Sequence, residues 1–179
     1  MAASLLLCAG FSLRAQEIPS GTEWQDINLD CTSLTETNHP RLFLADEDIR
    51  NIKKNLSRNR NLGTLHRIMM DVADGLLDKD SPLEYKMDAR GRSILKTSSE
   101  AVRRIASLSY AYRVTGNKVY LLKAEDCLAQ VCAFPDWNPT HFLDPAEMAF
   151  GVALGYDWLY NHLPEDLRSR VAICLRDFA

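Results

Sequence analysis

The sequence of 179 residues lacks the patterns that mark several common functional classes. It contains no Gly-rich phosphate loop, no alternation typical of β-strands and no apolar run long enough for a transmembrane helix. Its histidines, cysteines and carboxylates never stand at zinc-type spacing, and no Ser-His-Asp arrangement can be argued. We therefore expect neither a metal nor another cofactor.

The sequence also lacks a basic excess, because 24 acidic residues outnumber 21 basic ones and the net charge is −3. A general nucleic-acid-binding protein usually carries a basic surplus, so we expect no nucleic-acid partner. Five basic residues nevertheless cluster in the middle of the chain, where they could attract a polyanion: Arg90, Arg92, Lys96, Arg103 and Arg104. The alternative is that these side chains form a solvated helix face.

The first residues, MAASLLLCAGFSLRAQ, have the pattern of a secretory signal. Residues 4–13 form an apolar core, and Ala15 suits the cleavage point. We predict a signal peptide at 1–15 and a periplasmic or secreted protein; the alternative is a buried N-terminal helix. The polar, aperiodic residues 16–40 are predicted to form a strap ahead of a domain at 41–179.

The five cysteines show no metal-type spacing. Cys8 would leave with the signal peptide, and Cys127 and Cys174 lie on apolar helix faces, where they are expected to be small core residues. An exported protein can also form a disulfide, but the spacing of Cys31, Cys132 and the other cysteines assigns no pair.

The domain is predicted to be all-α, because apolar residues recur at helical spacing between short polar turns. Thr115-Gly116-Asn117 is a tight turn between two helices. Tyr112 and Tyr156 both precede such turns and stand 44 residues apart, a period typical of the helical hairpins in solenoids and toroids.

The segment at 134–160, FPDWNPTHFLDPAEMAFGVALGYDWLY, is an aromatic loop followed by a helix that is apolar on every side. Such a helix must be surrounded by other elements, and the chain offers few of them. Gly151 and Gly155 would allow a close approach to one neighbour. The chain also stops at Ala179 inside a periodic helix, so we expect it to be the N-terminal part of a larger helical protein with an exposed apolar helix face.

Three residues of this loop are the candidate binding site: Trp137, Asn138 and His141. A tryptophan beside an amide and an imidazole suits a sugar, since the ring can pack on the pyranose while the polar groups bond its hydroxyls or carboxylate. The alternative is that Trp137 plugs the end of the domain and His141 bonds a backbone carbonyl.

The acidic residues near this loop have structural explanations. Asp144 and Glu147 have the spacing of a capping box, with Asp144 as the N-cap. Thr97 and Glu100 have the same spacing at an earlier helix. Asp157 is expected to pair with an arginine.

The segments HPRLFLADEDI, SLSYAYRVTGNKVYLLKA and, above all, FPDWNPTHFLDPAEMAFGVALGYDWLY resemble the N-terminal α/α-toroid domain of the heparinase II/III polysaccharide lyases. The similarity covers about residues 38–179. It implies helical hairpins forming part of an incomplete α/α toroid, in an exported bacterial enzyme that cleaves a uronic-acid-containing, heparin- or heparan-like polysaccharide by β-elimination.

The resemblance also implies how the chemistry is divided along the protein. In such lyases the uronate carboxylate is neutralised, a base removes the C5 proton, and a Tyr or His protonates the leaving O4. The family's catalytic residues lie later than Ala179, so no catalytic residue is assigned and the chain alone is expected to be inactive. Only Trp137, Asn138 and His141 are carried over, as residues of the cleft that binds the acidic polysaccharide.

Two other functions compete with this interpretation. The first is a non-catalytic helical-repeat module that binds glycan or protein. The second is a glycoside hydrolase with an α/α barrel, which would need two carboxylates across its cleft. Asp144 and Glu147 are a poor pair for that role, because the predicted capping box already uses both.

Overall fold

The computed structural model describes residues 38–78 and 81–179, which fall within one compact unit. The predicted signal peptide, Cys8, Cys31 and nearly all of the predicted strap lie outside the described residues. Within the described ranges there are six helices and no strand, which confirms the predicted all-α fold. None of these helices combines the length and apolarity needed to cross a membrane.

The six helices pack in two layers. They are α1 (Asp46–Asn55), α2 (Arg60–Leu77), α3 (Leu95–Thr115), α4 (Lys118–Val131), α5 (Leu143–Leu159) and α6 (Glu165–Asp177). The most extensive contact joins α3 to α5, and α1 also packs on α3. In the second layer α4 contacts both α2 and α6, while the pairs α3–α4 and α5–α6 connect the layers as hairpins. This order is the one expected for part of a toroid, whose closure stays a prediction.

The turn between α3 and α4 follows from its sequence. Gly116 ends α3 with a φ of 74°, in the left-handed region that glycine adopts without strain. Its N–H donates to the carbonyl of Tyr112 at 2.6 Å, and the side chain of Asn117 accepts from the N–H of Val119 at 3.1 Å to begin α4. The predicted tight turn is confirmed.

The contact between α3 and α5 depends on two glycines. A Cβ atom at Gly151 would lie 2.8 Å from the Cα of Val102, and one at Gly155 would lie 2.4 Å from the Cγ2 of Ile105. Both distances are shorter than a carbon–carbon contact allows. The predicted close approach is therefore confirmed, and it brings the first turn of α5 against the beginning of α3.

The far end of α5 holds the segment that precedes α1. The buried carboxylate of Asp157 accepts hydrogen bonds from the backbone N–H groups of Arg41 (2.8 Å) and Leu42 (2.7 Å) and bonds the Nδ1 of His39 at 2.6 Å. The predicted arginine side-chain partner is wrong, because this non-helical segment supplies backbone donors that need an acceptor. Trp158 donates from Nε1 to the carbonyl of Leu42 at 2.9 Å, which ties the same segment down.

Part of the apolar surface of α5 stays open. The helix is buried toward α3, α4 and α6, whereas Phe142 is 81% exposed and Phe150 is 52% exposed, with Leu143 between them also exposed. These exposed side chains lie in the first half of α5 and just before it, and the expectation of an inner helix face left unpaired stays a prediction. Exposed apolar residues that form a contiguous patch can mark a binding surface.

Candidate functional site

The candidate site lies where two loops meet the first turn of α5. One is the connector between α2 and α3, and the other is the loop from α4 to α5 that carries the predicted binding residues. Asp144 joins them, because its carboxylate is fully buried between the two loops. It accepts four hydrogen bonds, from Ser93 Oγ (2.8 Å), Ile94 N (2.6 Å), Asn138 Nδ2 (2.6 Å) and His141 Nδ1 (2.8 Å).

This position of Asp144 corrects the predicted capping box. The N-cap of α5 is Phe142, and no side chain caps the helix there. Glu147 accepts from the hydroxyl of Ser99 instead of closing a capping box. The carboxylate of Asp144 turns toward α3 because Ile94, the N-cap residue of α3, has a buried N–H that needs an acceptor.

The box predicted for α3 is also wrong, because that helix begins at Leu95. Thr97 therefore lies inside the helix, and its hydroxyl donates to the carbonyl of Glu84 at 2.9 Å. The connector is thus fixed to α3 by Thr97 and to α5 by Asp144, so the turn between these anchors is held in place.

Asp144 is a negative charge at neutral pH. Burial alone would raise its pKa, but the hydrogen bonds from Asn138, Ile94, Ser93 and His141 together outweigh burial and lower the pKa. An ionised carboxylate only accepts hydrogen bonds, so the Nδ1 of His141 must carry the proton that lies between the two side chains. Asp144 thereby fixes both the orientation and the tautomer of the imidazole.

The side chain of His141 lines a cavity. The side chain is 40% exposed, and no protein group among the described residues bonds Nε2. The cavity has a volume of about 470 Å³ and is lined by Asp88, Gly91, Arg92, Ser93, Thr140 and His141. In the neutral ring Nε2 accepts a hydrogen bond, and in the protonated ring it donates one.

Arg92 brings a positive charge to the same cavity. Its backbone is fixed on both sides, since its N–H donates to Asp88 at 2.8 Å and its carbonyl accepts from Asn138 Nδ2 at 2.9 Å. The hydrogen bond from the N–H of Arg92 is the main cause that lowers the pKa of Asp88. In the described part of the chain the guanidinium of Arg92 hydrogen-bonds no protein group, so it is available to a ligand.

Two of the three predicted binding residues are enclosed by protein. Trp137 is 0% exposed, its Nε1 donates to the carbonyl of Val131 at 3.1 Å, and its ring meets that of Phe178 edge-on at 5.6 Å. No face of this ring is open to a sugar. This arrangement matches the alternative prediction, in which Trp137 plugs the end of the domain. Of the three residues, only His141 lines the cavity.

Asn138 is buried and acts as a connector between loops. Its Nδ2 donates to Asp144 and to the carbonyl of Arg92, while its Oδ1 accepts from the hydroxyl of Thr140 at 2.8 Å. Its φ of 56° lies in the left-handed region, which asparagine tolerates better than most residues. Since both ends of the amide are occupied, Asn138 shapes the site and leaves ligand contact to its neighbours.

The predicted basic cluster separates into two groups. Arg103 and Arg104 both bond Glu100 at 2.7 Å, and Arg104 is buried and also donates to the carbonyl of Ser81 at 2.7 Å. Arg90, Arg92 and Lys96 are exposed. The second group lies on or beside the connector, where a second cavity of about 490 Å³ includes Lys86, Asp88, Ser93 and Lys96 in its lining.

Sequence reasoning singled out Arg92 as a residue that could attract a polyanion, but it did not place the connector beside the loop that carries His141. Asp88 accepts from the N–H groups of Arg90 and Arg92, and Gly91 has a φ of 67°. An aspartate followed by a glycine three residues later is a turn signal that could have located this loop. The hydrogen bond from Ser93 to Asp144 could not be found in this way, because the two residues are 51 positions apart and no local pattern links them.

The chain was compared with known proteins, and neither a family model nor a curated protein matches it. The resemblance to the heparinase II/III lyases therefore stays a prediction from the quoted segments. Within residues 38–78 and 81–179 no group of three His, Cys, Asp or Glu side chains could hold a metal ion. Asp144 is also unsuited to hydrolysis, because its buried carboxylate has no access to a glycosidic bond.

Proposed function

We propose that this chain is the N-terminal helical part of an exported polysaccharide lyase of the heparinase II/III type. Its substrate would be a uronic-acid-containing, heparin- or heparan-like polysaccharide that is cleaved by β-elimination. The observation that carries the proposal is the convergence of Arg92 and an oriented His141 on one cavity. The sequence resemblance and the two layers of helical hairpins support the same function.

Arg92 suits the carboxylate of a uronic acid. A guanidinium binds a carboxylate through two parallel hydrogen bonds, which fixes the orientation of the sugar as well as its charge. Neutralising the carboxylate also makes the C5 proton easier to remove, since negative charge develops toward that group during elimination. An arginine at this position would therefore assist the reaction as well as binding.

His141 suits the positioning of the same sugar. Asp144 holds Nδ1, so Nε2 is directed to a ligand hydroxyl, ring oxygen or carboxylate in a fixed orientation. A base and an acid for the elimination are expected in the later part of the protein, as the family resemblance implies. In this proposal His141 aligns the substrate with those groups and transfers no proton itself.

The alternative of a non-catalytic binding module is favoured by one observation. Phe142, Leu143 and Phe150 are exposed at the start of α5, close in sequence to His141. An apolar surface of this kind is typical of protein contacts. It does not explain why the guanidinium of Arg92 bonds no group among the described residues while lining the same cavity as an oriented histidine, which is why we place this function second.

Binding of acidic oligosaccharides tests the proposed site. In the complete protein, Arg92→Ala should weaken the binding of a saturated oligouronide about 10- to 100-fold, since a charge-assisted hydrogen bond contributes about 1.5–3 kcal/mol. Arg90→Ala is the matched control, because Arg90 lies in the same turn but outside the lining of the cavity. Calorimetry with charged and uncharged oligosaccharides of equal length gives the measurement.

The two variants separate a specific site from general attraction. Equal losses for Arg92→Ala and Arg90→Ala would show that only the net positive charge of the turn matters. Equal affinities for the charged and uncharged oligosaccharides would show that the site does not recognise the uronate carboxylate.

A further inference from the structure

Two cysteines meet where α4 ends and α6 passes it. Cys132 is the C-cap residue of α4 and is partly exposed, whereas Cys174 is buried on α6. The Sγ of Cys174 lies 3.7 Å from the backbone oxygen of Cys132, so the two cysteines are in contact where α4 and α6 pack together. Both thiols are free in this structure.

We propose that Cys132 and Cys174 form a disulfide bond in the exported protein. Two cysteines in direct contact on neighbouring helices need little backbone movement to reach bonding geometry. The inference rests on the export in the proposed function, because disulfides persist in oxidising compartments. The third cysteine of the described chain, Cys127, is buried on α4 in the main core and is assigned no partner.

The bond would form by thiol–disulfide exchange with an oxidant of the disulfide class. The thiolate of Cys132, the more exposed of the two, attacks a sulfur of the oxidant and releases one thiol of it. The thiolate of Cys174 then attacks the Cys132 sulfur, which releases the second thiol of the oxidant. Two protein thiols lose two protons and two electrons in total, and the oxidant's disulfide is reduced to two thiols.

The bond would fix the loop that carries the candidate site. Cys132 begins that loop, and Phe178, one turn beyond Cys174, packs against the buried ring of Trp137. Burial raises the pKa of the Cys132 thiol well above its ordinary range, so thiolate is scarce at neutral pH. Exchange with the folded protein should therefore accelerate as the pH rises.

Mass spectrometry of the purified complete protein tests the pair. After refolding in a glutathione buffer rich in the oxidised form, digestion without reductant should yield one linked peptide pair that contains Cys132 and Cys174. The bond would join residues that are 42 positions apart in the sequence and would thereby restrict the unfolded chain. Its reduction should therefore lower the melting temperature by about 10 °C. Cys132→Ala and Cys174→Ala should each abolish that difference, and Cys127→Ala should keep it.

Two results would overturn the pair. Free Cys132 and Cys174 after refolding under oxidising conditions would do so, and so would a bond from either cysteine to Cys31 or Cys127. The assay uses no polysaccharide, so its failure leaves the proposed lyase function untouched. Conversely, a protein that yields the linked peptide but cleaves no polysaccharide would support the disulfide and contradict the proposed lyase function.

Discussion

Trp137→Ala is expected to lower the free energy of unfolding by about 3–5 kcal/mol, as for other fully buried large aromatic residues. The ring of Trp137 is enclosed between the end of α4 and Phe178, the C-cap residue of α6. Truncation would leave a cavity and would remove one of the two hydrogen bonds that the Val131 carbonyl accepts. Chemical denaturation followed by circular dichroism gives the measurement. Phe142→Ala is the matched control, because this aromatic of the same loop is exposed and its loss should change stability by less than about 0.5 kcal/mol.

The same variant decides between the two roles predicted for Trp137. As a core residue, it should affect sugar binding only in proportion to the unfolded fraction. A Trp137→Ala protein that keeps its stability but loses affinity for an oligouronide would show that the ring stacks on the sugar and that the loop opens to expose it.

Asp144→Ala is expected to cost about 3–5 kcal/mol, because it removes the acceptor of four donors at once, and the hydrogen bonds from Ile94 and Asn138 are fully buried. Asp144→Asn should also be costly, since one end of the amide would itself be a donor among donors. Asp166→Ala in the first turn of α6 is the control, because that carboxylate is exposed and its loss should cost less than about 1 kcal/mol. Urea titration of the three variants gives the comparison.

The pH dependence of stability provides a second readout for Asp144. Its pKa is lower in the folded protein than the value of about 4 in the unfolded chain, so folding favours the ionised form. The resulting stability is fully present above about pH 4 and is lost as the pH falls through the folded-state pKa. Asp144→Asn should lack this part of the acid-induced loss. A stable Asp144→Asn protein with an unchanged acid limb would instead favour the predicted N-cap, where asparagine is tolerated.

The helices could be predicted from the sequence because their signals are local. Apolar residues at helical spacing indicated an all-α fold, and Gly116 marked the turn between α3 and α4. The close approach at Gly151 and Gly155 was also accessible, since two small residues four apart on an apolar helix leave one face flat. These features depend on residues that are neighbours in the chain.

The site could not be predicted in the same way, because its contacts join distant residues. Asp144 and Ile94 are 50 residues apart, and a capping box explained the spacing of Asp144 and Glu147 equally well from the sequence alone. The connector decided the outcome, since the buried N–H of Ile94 at its end required an acceptor. Similarly, an aromatic loop can face solvent or the core, and only the packing of Phe178 places Trp137 inside.

The most direct measurement of the central claim is the product formed from an acidic polysaccharide. The complete gene product should be incubated with heparan-type, chondroitin-type and alginate-like chains, and with a neutral glucan as control, while the absorbance of the unsaturated sugar is followed. The account predicts unsaturated products from at least one uronic-acid-containing chain, none from the neutral glucan, and a slower reaction with Arg92→Ala. Saturated reducing ends would indicate a hydrolase instead, and binding without any cleavage of the acidic chains would contradict the lyase and leave a binding module.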